Sequence, residues 1–167
     1  MGASISKKNK EATSTGTGDA LSVEANSPTL KGSEGQGSDD FATKNKMLAL
    51  VVDDNCVIRR IHKMLLTKLG VDSLDVENGK QAVDLFLAGG KFDIVLMDRE
   101  MPVMNGIEAT KILRSMGMKT KIVGVSANSE KKDIKEFMDA GIDEFLPKPI
   151  DRAKLAAIID NIDESVV

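Results

Sequence analysis

Four apolar runs in this sequence each stop on a polar or charged group, and those groups could serve one reaction. Residues 47–52 end at Asp53-Asp54, residues 92–97 at Asp98, residues 122–125 at Ser126, and residues 144–146 lead through Pro147 into Lys148-Pro149. Any one of these has an ordinary explanation, since Asp often caps a following helix and Ser is common in turns. Read together as the ends of strands in one sheet, they bring three carboxylates, a hydroxyl and an amine to one edge. Converging carboxylates repel each other and hold raised pKa values unless a cation sits among them. Lys148 brings one positive charge, and a hard divalent ion with oxygen ligands would bring the rest. Mg²⁺ suits a site with few carboxylates, several waters and a phosphoryl oxygen. Such a set serves phosphoryl transfer: cation and lysine neutralise the phosphoryl oxygens while a nucleophile stands in line. Asp98, nearest the middle of the sheet, is the natural nucleophile and would carry an aspartyl phosphate.

The elements that must position these groups can be read from the same chain. Residues 1–46 are rich in Gly, Ser, Thr and Lys with few large apolar side chains, and their lysines and carboxylates balance. That composition cannot bury enough surface to offset chain entropy, so a disordered tail is predicted there and a folded domain over residues 47–164. Within the domain, apolar runs at 47–52, 92–97 and 122–125, with weaker ones at 71–76 and 144–146, read as strands buried on both faces. Helical spacing falls between and after them. Val57, Ile61, Met64 and Leu65 mark the first helix; Ala82, Val83 and Phe86 the second; Ala109, Ile112, Leu113 and Met116 the third. Ile134, Phe137 and Met138 mark the fourth, and Leu155, Ile158, Ile159 and Ile162 the fifth. Gly70, Gly89, Gly117 and Gly141 are placed to end helices, Ser129 and Asp151 to cap them, and Asn78-Gly79 to form a turn. Five strands alternating with five helices predict a doubly wound α/β domain on a parallel sheet, with its site at the carboxyl ends of the strands.

Composition narrows the function further. The chain has 167 residues, 41% hydrophobic and 29% charged, with a net charge of −3, which argues against a nucleic-acid binder working through bulk charge. No run approaches the roughly 18 apolar residues of a membrane span. The single cysteine, Cys56, excludes an internal disulfide, and five Phe without Trp or Tyr leave little to stack on a base or flavin. The N-terminus lacks an apolar core of signal-peptide length, so a cytoplasmic or nuclear location is expected. Its first residues, Met1-Gly2-Ala3-Ser4-Ile5-Ser6 followed by Lys7, Lys8 and Lys10, also fit an N-myristoylation pattern on Gly2 with a basic second signal; that alternative would place the protein at a membrane surface.

The sequence resembles the receiver domain of two-component response regulators from residue 47 to about 163. Carrying the resemblance are Val51-Val52-Asp53-Asp54-Asn55, residues 95–102 around Asp98, Asn105-Gly106, Val125-Ser126-Ala127 and Phe145-Leu146-Pro147-Lys148-Pro149. It is most similar to the plant stand-alone regulators that lack an output domain. The resemblance implies a five-stranded flavodoxin-like fold with Asp98 as phosphoacceptor. It implies Mg²⁺ held directly by Asp54, through water by Asp53, by Asp98 and by the backbone carbonyl of Glu100. Ser126 and Lys148 would hold phosphoryl oxygens, Phe145 would be the aromatic that swings inward with Ser126, and Pro149 would follow a cis peptide bond. Three departures stand out: Ser rather than the commoner Thr at 126, no phenolic oxygen on Phe145, and an extra carboxylate at Glu100 that could impede an attacking water. The phosphoryl lifetime is therefore expected to depend on Glu100 and Asn128. The implied donor is a histidine phosphotransfer protein or hybrid histidine kinase, with the domain acting as a signalling phosphoacceptor rather than an enzyme on other substrates. A monomer is expected, with dimerisation open on phosphorylation. After the fifth helix nothing resembles a DNA-binding helix pair, so direct nucleic-acid binding is not expected; a phosphate sink or a partner-binding module is.

Other residues and other classes read more plainly. His62, the only histidine, is placed by helical spacing beside Ile61 and is expected at a surface or facing a partner. Cys56 lies near the acidic pair, where a redox role is not expected. Met101 and Met104 read as gap fillers, and Lys131-Lys132 as a solvated helix face. A flavodoxin-like electron carrier would need a phosphate-binding first loop, which Asp53-Asp54 would repel. In a phosphatase of the haloacid dehalogenase type the nucleophile follows the first strand and the acidic pair comes late, the reverse of the order here. A receiver-shaped scaffold that signals without phosphorylation remains, ranked lower because every residue type the chemistry needs is present.

Overall fold

The computed structural model describes residues 46–164, so Gly2 and all of the predicted tail but its last residue, Lys46, lie outside the described residues. Strands β1 (Leu48–Val52), β2 (Asp72–Val76), β3 (Ile94–Asp98), β4 (Lys121–Ser126) and β5 (Glu144–Pro147) alternate with helices α1 (Cys56–Lys68), α2 (Gly79–Leu87), α3 (Gly106–Ser115), α4 (Lys131–Asp139) and α5 (Arg152–Glu164). All pairings are parallel and the strand order is β2-β1-β3-β4-β5. This is the doubly wound α/β fold predicted. The central strands β1, β3 and β4 are buried on both faces, as their apolar runs predict, but the edge strands are not. β2 is exposed or half-buried throughout and β5 buries Leu146 alone, because each edge strand has a neighbour on one side and a helix layer that covers it incompletely. Leu50, Val52, Val95, Met97 and Ile122 face a core shared with Ala82, Val83 and Phe86 of α2, Ala109 and Leu113 of α3, and Phe137 of α4. Ala49, Val51, Ile94, Leu96, Val123 and Val125 face the opposite core, with Leu66 of α1 and Leu155, Ile158 and Ile159 of α5.

The register places the strand ends. Val52 pairs with Met97, Asp98 with Val125, and Ser126 with Pro147, so the last residues of β1, β3, β4 and β5 lie side by side. Strand order reverses at β1, opening the crevice in which doubly wound sheets bind ligands.

Local chemistry starts the helices. The Asn55 side chain accepts from the Val57 and Ile58 amides, Asn105 and Glu108 form a capping box on α3, and Asp151 accepts from Ala153 N at 2.8 Å ahead of α5. Asn78 and Gly79 are not a free turn: Asn78 caps α2, and Gly79 is its first residue. Ser129 does not cap α4, which starts from Glu130 without a side-chain cap bond. Gly70 and Gly117, just past α1 and α3, have φ of 78° and 77°, the left-handed conformation in which a side chain is strained.

The first helix departs most from prediction. Its spaced apolar residues Val57, Ile61 and Met64 are 60%, 51% and 55% exposed, while its inward residues are Arg59, His62 and Leu66. His62 is buried, not at the surface. Burial holds its imidazole well below the usual range, at about 4, with Asp53 raising it and Lys148 lowering it further. The helix turns a polar side inward because it leans over the carboxyl ends of the strands, where Arg59 Nη1 donates to the carbonyls of Asp53 and Asp54 at 2.8 and 3.1 Å. Those carbonyls lie in a loop and would otherwise lack ladder partners.

In the loop after β3, Met104 N–H donates to the Pro102 carbonyl at 2.8 Å, closing a three-residue turn with Val103 at φ 71° and 81% exposed. A β-branched residue in that region is strained and gains nothing from burial. Val103→Gly is expected to raise stability by about 1 kcal/mol, relief of strain exceeding the added freedom of the unfolded chain. The urea midpoint measures it; an unchanged or lower midpoint contradicts the strain.

Candidate functional site

Asp53 follows β1 and is 1% exposed; its Oδ1 accepts from the Asn55 amide at 2.9 Å, which fixes the loop. Asp98 ends β3 at 6% exposure, and Asp54 stands exposed beside it. Carboxylate oxygens of Asp53, Asp54 and Asp98 all lie within 4.8 Å of one another. Lys148 reaches in from beyond β5 and bridges two of them, with Nζ 2.7 Å from Asp53 Oδ2 and 2.8 Å from Asp98 Oδ1. Its backbone N–H donates a hydrogen bond to the Ser126 carbonyl at 2.9 Å, and the Lys148–Pro149 peptide is cis. Ser126 is buried, its Oγ accepting from the Asn128 amide at 3.1 Å. These groups, with Glu100 and Asn128 at the rim, line a hollow of about 310 Å³.

The electrostatics follow from this crowding. Burial pushes Asp98 up to about 6; Lys148 opposes the rise, and the charges of Asp53 and Asp54 add to it. Burial alone would lower Lys148, but its hydrogen bonds to Asp53 and Asp98 outweigh that and hold the ammonium above its ordinary range. One ammonium thus pairs with two buried carboxylates and a third, Asp54, stands beside them, which leaves the hollow with excess negative charge. An all-oxygen donor set short of positive charge fits a hard divalent cation such as Mg²⁺.

Residues 49–160 match the family model for the response regulator receiver domain. The chain belongs to that family. Among curated relatives, this receiver is 47% identical over 119 residues to two-component response regulator 24 of Arabidopsis thaliana, covering 71% of this chain and 86% of the relative. It is 46% identical over 110 residues to two-component response regulator ORR42 of Oryza sativa subsp. japonica, covering 65% and 82%. It also matches 7% of hybrid signal transduction histidine kinase I of Dictyostelium discoideum, at 34% identity over 66% of this chain. A solved receiver domain of a sensor histidine kinase from Pseudomonas aeruginosa, with magnesium coordinated in its active-site cleft, is similar at TM-score 0.65 and 30% identity, covering 71% of this chain and 98% of that one. The protein is thus a signalling receiver homologous to plant response regulators and hybrid-kinase receivers, as the sequence implied.

Of the residues singled out in the receiver's sequence, Asp53, Asp54, Asp98, Glu100, Ser126, Asn128 and Lys148 gather at the hollow. Phe145 does not: it is half-buried on β5, paired with Gly124 and packed against the core. Met101 and Met104 pack on the same core as gap fillers, Lys131 and Lys132 are exposed, and Cys56 is exposed at the start of α1. Sequence reading missed Arg59 and Arg99. Arg59 also binds Asp75 and Glu77 of the neighbouring strand end. Its one signal was a cation at an inward helical position close behind Asp53-Asp54. Arg99 was passed over although it adjoins Asp98.

The raised Asp98 pKa makes a stability prediction. The folded receiver keeps this proton up to about pH 6, whereas an ordinary carboxyl releases it near 3.8. Between those values the folded state binds more protons, so this group's contribution falls as pH rises through the window and stays unfavourable above it. Asp98→Asn removes the charge and is expected to raise stability in metal-free buffer at pH 7.5 by about 2 kcal/mol, a gain that shrinks toward pH 4. Urea melts at both pH values check it, and a loss of stability at pH 7.5 contradicts it.

Proposed function

We propose that this receiver takes a phosphoryl group onto Asp98 from a phosphohistidine on a phosphotransfer protein or hybrid histidine kinase, and later loses it to water. The observation carrying this reading is Lys148 Nζ, held between Asp53 and Asp98 at 2.7 and 2.8 Å beside the buried Ser126 hydroxyl. With its pKa about 6, Asp98 is ionised at neutral pH, and an oxygen of its carboxylate is the nucleophile. That oxygen forms the new O–P bond as the P–N bond of the phosphohistidine breaks, the electron pair returning to the imidazole nitrogen. Lys148 exchanges its contact with Asp98 for a phosphoryl oxygen, and the Ser126 hydroxyl donates to another. Asp53, Asp54 and Asp98, with the Glu100 carbonyl, would hold Mg²⁺, which when bound neutralises charge on the transferring oxygens. Asp53 orients Lys148, and Arg59 fixes the loop that carries both acidic residues. Ser126 moving toward the phosphoryl group would leave room for Phe145 to turn inward, shifting the surface formed by α4, β5 and α5 between two populations.

The test is incubation with a phosphorylated histidine phosphotransfer protein and Mg²⁺, comparing wild type with Asp98→Asn. Label is expected on wild type alone. Label that persists there indicates a switch, and label lost from both wild type and donor indicates a sink. No transfer to wild type overturns the proposal in favour of a phosphorylation-independent scaffold.

A further inference from the structure

Arg99, the residue after Asp98, joins the two sides of the hollow's mouth. Its side chain is only 12% exposed; Nη1 pairs with Glu100, and Nη2 binds Asp133 Oδ1 at 3.0 Å and Glu136 Oε2 at 2.8 Å on α4. The other oxygen of Asp133 accepts from Asn128 Nδ2 at 2.5 Å. A continuous chain, Glu100–Arg99–Asp133–Asn128, thus links one rim residue to the other. The same Asn128 donates its backbone amide to Ser126 Oγ at 3.1 Å, so the chain ends on a hydroxyl of the site itself.

A clamp that merely docks α4 is a poor account of these contacts. Phe137 already anchors that helix with no exposed surface, and partly exposed ion pairs add little to stability. Arg99 is also held at a cost, since its buried Nε has no hydrogen-bond partner. The fork spends its donors on the rim and on α4 rather than on satisfying itself. Water attacking a phosphoryl group on Asp98 has to pass the mouth that Glu100 and Asn128 flank.

We infer that Arg99 is a positioning residue that sets how long the phosphoryl group survives, by holding Glu100 directly and Asn128 through Asp133. This rests on Asp98 being the phosphoacceptor. Breaking the chain frees both rim side chains, and water reaches the phosphorus more often. Lys at 99 cannot replace the planar fork, because one ammonium does not hold three carboxylates in fixed directions.

The experiment labels the full chain from a phosphorylated histidine phosphotransfer protein with Mg²⁺, removes the donor and follows loss of the label by intact-protein mass. Arg99→Ala and Asp133→Asn are each expected to shorten the half-life by roughly five-fold or more, with Arg99→Lys between them and wild type. In a Glu100→Ala, Asn128→Ala background, Arg99→Ala is expected to change nothing further, which a general loss of structure would not reproduce. If Arg99→Ala does not fold, Asp133→Asn breaks the same chain from the other side. Wild-type half-lives in folded Arg99→Ala or Asp133→Asn overturn the inference while leaving the acceptor role intact. An acceleration that persists in the doubly substituted background overturns it too. Failure of wild type to label at all overturns both.

Discussion

Lys148→Met is expected to destabilise the receiver by about 3 kcal/mol at pH 7.5 in metal-free buffer, because it strips the cation from two buried carboxylates. Asp53 is 1% and Asp98 6% exposed, and the Lys148 ammonium lies within 2.8 Å of both. The unpaired site has one cheap escape, which is to protonate Asp98, already shifted to about 6. The penalty is therefore expected to shrink as pH falls toward 5, and Mg²⁺ is expected to restore part of the loss at pH 7.5. Phosphoryl transfer is expected to fall by about 10²–10³, the usual cost of removing one fixed donor from a developing charge. Urea melts with and without Mg²⁺, and label uptake at saturating donor, read the two effects separately. Wild-type stability and uptake in this variant would mean that Lys148 is not part of the machinery.

A second large effect comes from a residue with no side chain. Gly106 opens α3 directly beneath the end of β3, and a Cβ built on it would lie 2.1 Å from the Asp98 carbonyl oxygen and 3.0 Å from its carbon. Both are backbone atoms, and the Gly106 amide is itself bonded to the Arg99 carbonyl at 3.0 Å, so neither side yields easily. Gly106→Ala is expected to cost about 3 kcal/mol by overpacking. It is also expected to slow transfer by about 100-fold, because the strand end that presents the acceptor must shift. The two readouts separate: at a temperature where the variant is fully folded, the rate deficit remains. Transfer at the wild-type rate under those conditions contradicts the role of this close approach.

The centre of the sheet could be read from the sequence because burial on both faces leaves long apolar runs in β1, β3 and β4, while the half-exposed edge strands β2 and β5 carry only weak ones. The convergence of Asp53, Asp98, Ser126 and Lys148 follows once the strands are parallel. The ends of the runs were harder. Asp98 belongs to β3 itself, paired with Val125, although the apolar run stops one residue earlier. The faces of α1 could not be read, since the rule that apolar means inward fails where a helix covers a polar site. There Arg59 and His62 are buried while Val57, Ile61 and Met64 face out. Arg114 escaped for a similar reason: its guanidinium binds the nearby carbonyls of Met118 and Thr120 and, far along the chain, the carbonyl of Gly141 and the carboxylate of Asp143, contacts with no periodic signature. The cap of α4 was misplaced because Ser129 has the right chemistry one residue too early.

The account turns on which carboxylate receives the phosphoryl group. Wild-type receiver labelled from a phosphohistidine donor, trapped by borohydride reduction of the acyl phosphate and digested for mass mapping, locates it residue by residue. The reduced product is expected at position 98 alone. Reduction at Asp53 or Asp54, or label recovered on His62, would contradict the assignment of Asp98.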